Sequence, residues 1–114
     1  MQNSECRIEI KMQEYTIRFG TNINHQYNYE QAKRLLIALF GETTSFSEPK
    51  YSRDYNAEPD DENASVYLNF IAKAESPLSP SDLKKLLKKA EQTMGRTATR
   101  KALGIIDADF DIIT

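Results

Sequence analysis

Near the end of the chain, three aspartates stand at alternate positions, Asp107, Asp109 and Asp111. In a β-strand, residues i and i+2 point to the same side, so these carboxylates are expected to share one face, with neighbours roughly 7 Å apart. Like charges placed in this way repel each other unless a cation joins them. Proteins usually hold Mg²⁺ with one or two carboxylates together with substrate phosphates and water. The pattern therefore predicts a magnesium site, although acidic residues at this spacing also occur on strand faces that are merely solvated.

Tyr67 and Asn69 form a second polar pair, which alternates with Leu68 and Phe70. If the apolar pair faces the core, the polar pair faces the same open side as the aspartates. An aromatic ring can stack on a flat heterocycle, and an amide offers both donors and acceptors to the edge of such a ring. The alternative is an ordinary sheet surface, because tyrosine is common in strands.

The segment 96–104 contains Arg96, Arg100 and Lys101 and no acidic residue. Cations on one side of a cleft and metal-binding acids on the other suit a polyphosphate. The sequence has no Walker-type glycine-rich loop, so a nucleotide bound here is not held by a P-loop.

The length and composition predict one domain over residues 1–114. The 15 basic and 17 acidic residues give a net charge of −2, which argues against a nucleic-acid partner and against binding to a membrane surface. The longest apolar run, residues 35–40, is far too short to span a bilayer. Cys6 is the one cysteine and the N-terminus shows no apolar secretory segment, so a cytoplasmic protein without a disulfide is expected.

Hydrophobic periodicity predicts strands and helices in the order β-α-β-β-α-β. The predicted strands cover 7–19, 43–53, 65–74 and 105–113, and the predicted helices lie between Asn28 and Gly41 and between Ser79 and Gly95. This order is typical of the ferredoxin-like α+β fold, a four-stranded antiparallel sheet with two helices on one face. The other face is left open, and Pro49 places the second strand at an edge. Unpaired edges and an uncovered face favour a homodimer.

Four motifs in this order resemble the 6-hydroxymethyl-7,8-dihydropterin pyrophosphokinase family of folate biosynthesis. They are Gly20-Thr21-Asn22, Tyr67-Leu68-Asn69, Glu91 followed by Met94-Gly95-Arg96, and Asp109-Phe110-Asp111-Ile112. The resemblance covers roughly residues 14–114, and the ordered set is far more specific than any one motif.

The resemblance implies transfer of pyrophosphate from ATP to the hydroxymethyl group of the reduced pterin, with release of AMP and two Mg²⁺ ions. It implies that Asp109 and Asp111 bind the metal and that Tyr67 and Asn69 contact the pterin. The remaining residues follow in the same way. Gly20 and Thr21 would begin the loop that binds the substrate. Arg96 would act in catalysis on the nucleotide side, and Glu91 would lie near the nucleotide. Arg100 and Lys101 are expected to help bind the nucleotide.

The sequence also departs from the family. The family's usual Arg-Trp-Gly-Pro-Arg-Thr-Leu-Asp becomes residues 102–109, with Ala102, Leu103 and Ile106 in place of the tryptophan and both arginines. Family chains continue past the aspartate strand, whereas this sequence ends at Thr114. These departures leave open a catalytically impaired homologue that acts as a pterin- or nucleotide-binding module or as a protein-interaction module. An RNA-binding domain of the same topology is disfavoured, because Tyr67 is the one outward aromatic of the third strand.

Overall fold

The computed structural model describes residues 11–54 and 57–113. Residues 7–10 of the predicted first strand, and Cys6, lie outside these ranges. The elements in chain order are β1 (Gln13–Thr21), α1 (His25–Phe40), β2 (Ser45–Phe46), β3 (Lys50–Arg53), β4 (Val66–Ser76), α2 (Pro80–Thr93), α3 (Ala98–Ala102) and β5 (Asp109–Ile112).

The strands form one antiparallel sheet in the order β2-β4-β1-β5, and β3 also pairs with β4. Strands β2 and β3 take the place of the predicted second strand, which is interrupted around Pro49. Proline cannot donate a ladder hydrogen bond, so a break at this edge is the expected result. The α+β ferredoxin-like fold predicted from the sequence is therefore confirmed, with a divided edge strand and one additional short helix.

The core lies between the sheet and the two long helices. Ile17, Phe19 and Phe70 point from the central strands towards α1 and α2, and all three are almost fully buried. The ring centroid of Phe19 lies 5.1 Å from that of Phe70 and 5.0 Å from that of Phe110. Truncating such a buried phenylalanine costs about 3–5 kcal/mol, so this aromatic row fixes which face of each strand the helices cover.

The start of α1 differs from the prediction. Asn28 was expected to cap the helix, but the helix begins at His25, after Asn24 in a left-handed conformation with φ 44°. Asn28 is instead buried, and its Nδ2 donates to the carbonyl oxygen of Ile23 at 2.8 Å. His25, which precedes the predicted helix, is the first helical residue, and its Nε2 lies 2.8 Å from the carbonyl oxygen of Val66.

The start of α2 follows the prediction. The Oγ atom of Ser79 accepts a hydrogen bond from the backbone N–H of Asp82, and Pro80 occupies the first turn. Both features act locally and stabilise a helix N-terminus independently of tertiary contacts. In the ranges that the structure describes, no helix is both long and apolar enough to cross a membrane.

Candidate active site

Three neighbouring strands place Asn69, Gly20 and Asp109 in one row on the open face of the sheet. Gly20 of β1 pairs with Asn69 of β4 on one side and with Asp109 of β5 on the other. A Cβ atom on Gly20 would lie 2.9 Å from Oδ1 of Asn69 and 3.7 Å from Cδ2 of Tyr67. The absence of a side chain at Gly20 therefore lets the amide and the aromatic ring lie over the strand.

The amide and the phenol at this row are held in defined environments. Nδ2 of Asn69 donates to Oγ of Ser52 at 2.7 Å, which turns Oδ1 towards Gly20. Burial raises the pKa of the Tyr67 phenol, and the charges of Asp54 and Asp109 raise it further. Tyr67 is therefore a protonated phenol at neutral pH, with an aromatic face for packing and an O–H for donation.

A cavity of about 220 Å³ opens at this row. Its lining residues are Arg18, Gly20, Ser52, Arg53, Asp54, Tyr67, Asn69 and Asp109. The structure thus brings three of the predicted substrate-binding residues together with one predicted metal ligand. Four of the lining residues are new relative to the sequence interpretation, namely Arg18, Ser52, Arg53 and Asp54. Arg18 alternates with the buried residues of β1, so the sequence pattern could have placed it on the open face. Ser52, Arg53 and Asp54 come from a distant segment that pairing with β4 brings to the cavity.

Asp109 and Asp111 leave β5 on the open face, as the alternation predicts. Burial raises the pKa of the Asp109 carboxyl, and the negative charge of Asp111 raises it further, while Arg96 opposes the shift. A carboxylate that has a second carboxylate beside it is a fitting donor for a hard cation. Within residues 11–54 and 57–113 there is no group of three or more potential ligating side chains of the types His, Cys, Asp and Glu. Asp109 and Asp111 would supply carboxylate oxygens to a hard cation such as Mg²⁺, which also takes water and phosphate oxygens as ligands.

Arg96 joins the end of α2 to the aspartate strand. Its Nη1 atom lies 3.0 Å from Oε1 of Glu91, 3.1 Å from Oδ1 of Asp109 and 3.2 Å from the carbonyl oxygen of Ala108. Gly95, at φ 102°, turns the chain sharply enough for the Arg96 N–H to donate to the carbonyl oxygen of Glu91. This turn aims the guanidinium at β5.

Glu91 is buried, and its second carboxylate oxygen accepts a hydrogen bond of 2.8 Å from the backbone N–H of Phe110. Burial raises the pKa of the Glu91 carboxyl, while this hydrogen bond and Arg96 act in the opposite direction. Glu91 therefore positions both Arg96 and the first part of β5.

Asp107 does not share the face of Asp109 and Asp111, which corrects the expectation from the sequence. The predicted strand 105–113 begins only at Asp109, so the alternation does not extend back to Asp107. Nε and Nη2 of Arg100 each donate to the Asp107 carboxylate at 2.8 Å. These bonds lower the pKa of the Asp107 carboxyl. The Arg100 guanidinium, predicted on the nucleotide side, is thereby held against the loop that precedes β5.

A second cavity of about 210 Å³ lies on the other side of Arg96. It is lined by Lys88, Glu91, Gln92, Arg96, Thr97, Ala98 and Lys101. Three of the residues predicted to bind the nucleotide meet here, namely Glu91, Arg96 and Lys101. Arg96 also contacts Asp109, which lines the first cavity, so this one guanidinium connects the two cavities.

The structure does not bring the Thr21 side chain to either cavity. Thr21 is fully buried on the helix-covered face, and its Oγ1 lies 3.0 Å from the carbonyl oxygen of Ile23 and 3.2 Å from that of Ile106. The same oxygen accepts from Nδ2 of Asn28 at 3.3 Å. Thr21 thus joins β1, the start of α1 and the segment before β5, and only Gly20 of this pair faces the cavity.

The fold and the site define a ferredoxin-like α+β protein whose open sheet face carries an amide, an aromatic ring and a pair of carboxylates. The chain matches the sequence model of the 7,8-dihydro-6-hydroxymethylpterin-pyrophosphokinase (HPPK) family over residues 16–114, and it belongs to that family. It is also 31% identical over 100 residues to the folic acid synthesis protein FOL1 of Dictyostelium discoideum. That alignment covers 82% of this chain and 14% of the relative, so the chain spans a small part of the curated protein that it matches.

Proposed function

We propose that this chain transfers a diphosphate group from ATP to the hydroxymethyl oxygen of 6-hydroxymethyl-7,8-dihydropterin and releases AMP. The observation that carries the proposal is the row Asn69–Gly20–Asp109 across three paired strands. It supports the proposal because an amide, an aromatic ring and a carboxylate line the same cavity. Membership of the pyrophosphokinase family supports the same chemistry.

The pterin end of the cavity is formed by β1 and β4. The bare backbone of Gly20 gives a flat floor, and Tyr67 provides an aromatic surface beside it. Oδ1 of Asn69 accepts from the ring's N–H groups, while its Nδ2 is kept in place by Ser52. An amide that is positioned in this way favours a heterocycle with complementary donors over an apolar ring, since the latter would leave its oxygen unpaired.

The cation end is formed by β5, where Asp109 and Asp111 would hold the two Mg²⁺ ions together with the phosphates of ATP. Bound metal ions of this kind neutralise phosphate charge and orient the reacting oxygens. Before any ligand binds, Arg96 at 3.1 Å from Asp109 supplies the opposing charge.

The nucleotide is proposed to occupy the second cavity, where Lys88 and Lys101 add positive charge to the rim. Arg96 lies between this cavity and Asp109, so it is placed to contact the phosphates that must pass from one side to the other. Glu91 acts through Arg96 by fixing the direction of its guanidinium.

In the reaction, the hydroxymethyl oxygen forms a bond to the β-phosphorus of ATP. The bond between the β-phosphorus and the oxygen that bridges to the α-phosphorus breaks, and the bridging oxygen keeps the electron pair and leaves as AMP. The hydroxyl proton is released to water at the open side of the cavity. Little covalent chemistry falls to the protein, so catalysis rests on positioning and on stabilising negative charge.

The test is to incubate the protein with ATP, Mg²⁺ and the reduced pterin and to quantify AMP and diphosphorylated pterin by chromatography. Equal amounts of both products are expected. Asn69→Ala should mainly raise the KM for the pterin, and Asp109→Asn should lower kcat about 10²-fold or more, in the range found when one preorganised electrostatic contact is removed. Lys73→Met, an exposed change on the same sheet face outside both cavities, serves as the control. Folded wild-type protein that releases no AMP above background would contradict the proposal.

A second candidate is a binding module that takes up the pterin or the nucleotide without turnover. One observation favours it, namely that Arg100, which was expected to help bind the nucleotide, is held by Asp107. Calorimetric titration with the reduced pterin and a non-hydrolysable ATP analogue separates the two candidates. Binding of both ligands without AMP release from ATP would establish the module, whereas turnover would exclude it.

A further inference from the structure

Arg18 lies at the junction of the pterin and cation ends of the first cavity. It stands two residues before Gly20 in β1, on the same open face, and it pairs with Ile71 of β4 and with Asp111 of β5. Its side chain lines the cavity together with Tyr67, Asn69 and Asp109. The row that contains Arg18 is therefore next to the row that contains the proposed pterin and metal contacts.

In the described part of the chain, the Arg18 guanidinium makes a single, long ion pair with a side chain of β5. Nη2 lies 3.3 Å from Oδ2 of Asp111, and the two side chains are 46% and 45% exposed. Among residues 11–54 and 57–113 this is its one polar partner. A guanidinium has five N–H donors in a planar fork, so most of the donor capacity of Arg18 remains for a ligand.

The other arginines near the cavities are more firmly committed. Arg100 makes two hydrogen bonds of 2.8 Å to Asp107. Arg96 contacts two carboxylates and a backbone carbonyl oxygen. Arg53, which also lines the first cavity, donates through Nη2 to the carbonyl oxygens of Glu58 and Asp61 and so holds the following loop. Of these four arginines, Arg18 makes the fewest polar contacts within the described residues and is therefore the most free to turn towards a bound anion.

We propose that Arg18 is a further catalytic residue, whose guanidinium contacts the non-bridging oxygens of the diphosphate group as it is transferred. This inference rests on the proposed function and adds a residue to that same site. The group in transfer must lie between the heterocycle over Gly20 and the carboxylates of β5, and Arg18 borders both. It exchanges neither proton nor electron pair. Its charge-assisted hydrogen bonds strengthen as negative charge redistributes over the phosphoryl oxygens.

A purely structural role for Arg18 predicts something different. If Arg18 only balances the charge of Asp111, its removal would tighten the binding of Mg²⁺ and would leave the affinity for a phosphate ligand unchanged. If it contacts the diphosphate, its removal weakens the binding of that ligand even when Mg²⁺ is saturating. The two roles therefore differ in whether the affinity for the phosphate ligand at saturating Mg²⁺ falls or stays the same.

The experiment compares the wild type with Arg18→Met and Arg18→Gln, which remove the charge from an exposed strand position and differ in polarity. Lys73→Met is the matched control, because Lys73 is exposed on the same sheet face, pairs with Thr16 of the same strand β1 and lies outside the first cavity. Circular dichroism establishes that each variant is folded. The measurements are calorimetric titration with inorganic pyrophosphate in saturating Mg²⁺, titration with the reduced pterin alone, and the rate of AMP release.

Both Arg18 variants are expected to bind magnesium pyrophosphate about tenfold or more weakly, which corresponds to the loss of a charged hydrogen bond. Their kcat should fall roughly 10²–10³-fold, while pterin affinity stays near that of the wild type. Lys73→Met should change none of these quantities. Unchanged pyrophosphate affinity in both Arg18 variants would overturn the inference. Absence of AMP release by the wild type would instead contradict the proposed function, and the pyrophosphate titration would still decide the role of Arg18.

Discussion

Oδ1 of Asn69 lies only 2.9 Å from the point where a Cβ atom on Gly20 would stand. This distance is shorter than the contacts that a methyl group makes with an amide oxygen. The two residues face each other across the β1–β4 ladder. The position of the Asn69 amide, which is proposed to bind the pterin, therefore depends on the lack of a side chain at Gly20.

Gly20→Ala is therefore expected to displace the Asn69 amide and to weaken pterin binding about tenfold, which corresponds to one lost hydrogen bond. The protein should stay folded, because the atom that must move is the end of a side chain. Calorimetric titration with the reduced pterin measures the effect. In the double variant Gly20→Ala/Asn69→Ala the two losses should not add, since both changes remove the same contact. Additive losses would show that Gly20 acts independently of Asn69.

Thr21→Val should destabilise the protein by about 1–3 kcal/mol, because it leaves the buried Asn28 amide without its hydroxyl acceptor. Thr21→Ser keeps the hydroxyl and should retain most of the stability. Urea unfolding followed by circular dichroism gives both values. The KM for the pterin should be unchanged in Thr21→Val, and a raised KM at unchanged stability would favour the direct substrate contact that the sequence predicts.

Asp107→Asn should lower the free energy of unfolding at pH 7, because the bidentate pair with Arg100 is lost. The pKa of Asp107 is lowered in the folded protein, so its contribution to stability is present above the ordinary aspartate range and is lost as the pH falls through the folded-state pKa. The difference between wild type and variant should therefore shrink on acidification. Urea unfolding at neutral pH and at about pH 3, below the ordinary aspartate pKa, tests this, and a gap that widens in acid would contradict it.

Glu91→Gln should show the opposite pH dependence. The pKa of Glu91 is raised by burial, so its protonated form favours the folded state, and this contribution is lost as the pH rises through the folded-state pKa. The glutamine side chain of the variant cannot titrate, although its amide oxygen can still accept the Phe110 N–H. Relative to the wild type, the variant should thus gain stability from about pH 4 upwards. Urea unfolding across this interval measures the difference, and a relative stability that falls would mean that Arg96 outweighs burial.

Asp109→Asn should weaken Mg²⁺ binding in the presence of a non-hydrolysable ATP analogue by about tenfold or more, because a neutral amide replaces one of two carboxylates. Isothermal titration with Mg²⁺ provides the measurement. Asp60→Asn, in the exposed loop before β4, removes the same charge at a distance and is the control. Equal effects of the two substitutions would indicate general electrostatics in place of a metal site.

The sequence was most informative where the structure depends on local rules. Ser79 and Pro80 begin α2 as predicted, because a side-chain cap and a fixed φ act within one turn. The sequence was least informative at residues 105–108. There the alternation of apolar and acidic residues predicts a strand, but β5 begins only at Asp109. Asp107 has the right spacing for the open face, yet the bidentate bond from Arg100 in α3 holds it elsewhere.

By itself, the sequence determined the order of the two long helices and of the strands around them, the open faces of β1, β4 and β5, and the family, because hydrophobic period and motif order are properties of the chain alone. It thereby placed Tyr67, Asn69, Asp109 and Asp111 on one open face. Only the tertiary structure decided which of these become neighbours, since strand register and the direction of an arginine depend on contacts between distant segments. Those contacts put Gly20 under Asn69, Arg18 beside Asp111 and Arg96 between two cavities, and they turned Thr21 and Arg100 to structural partners.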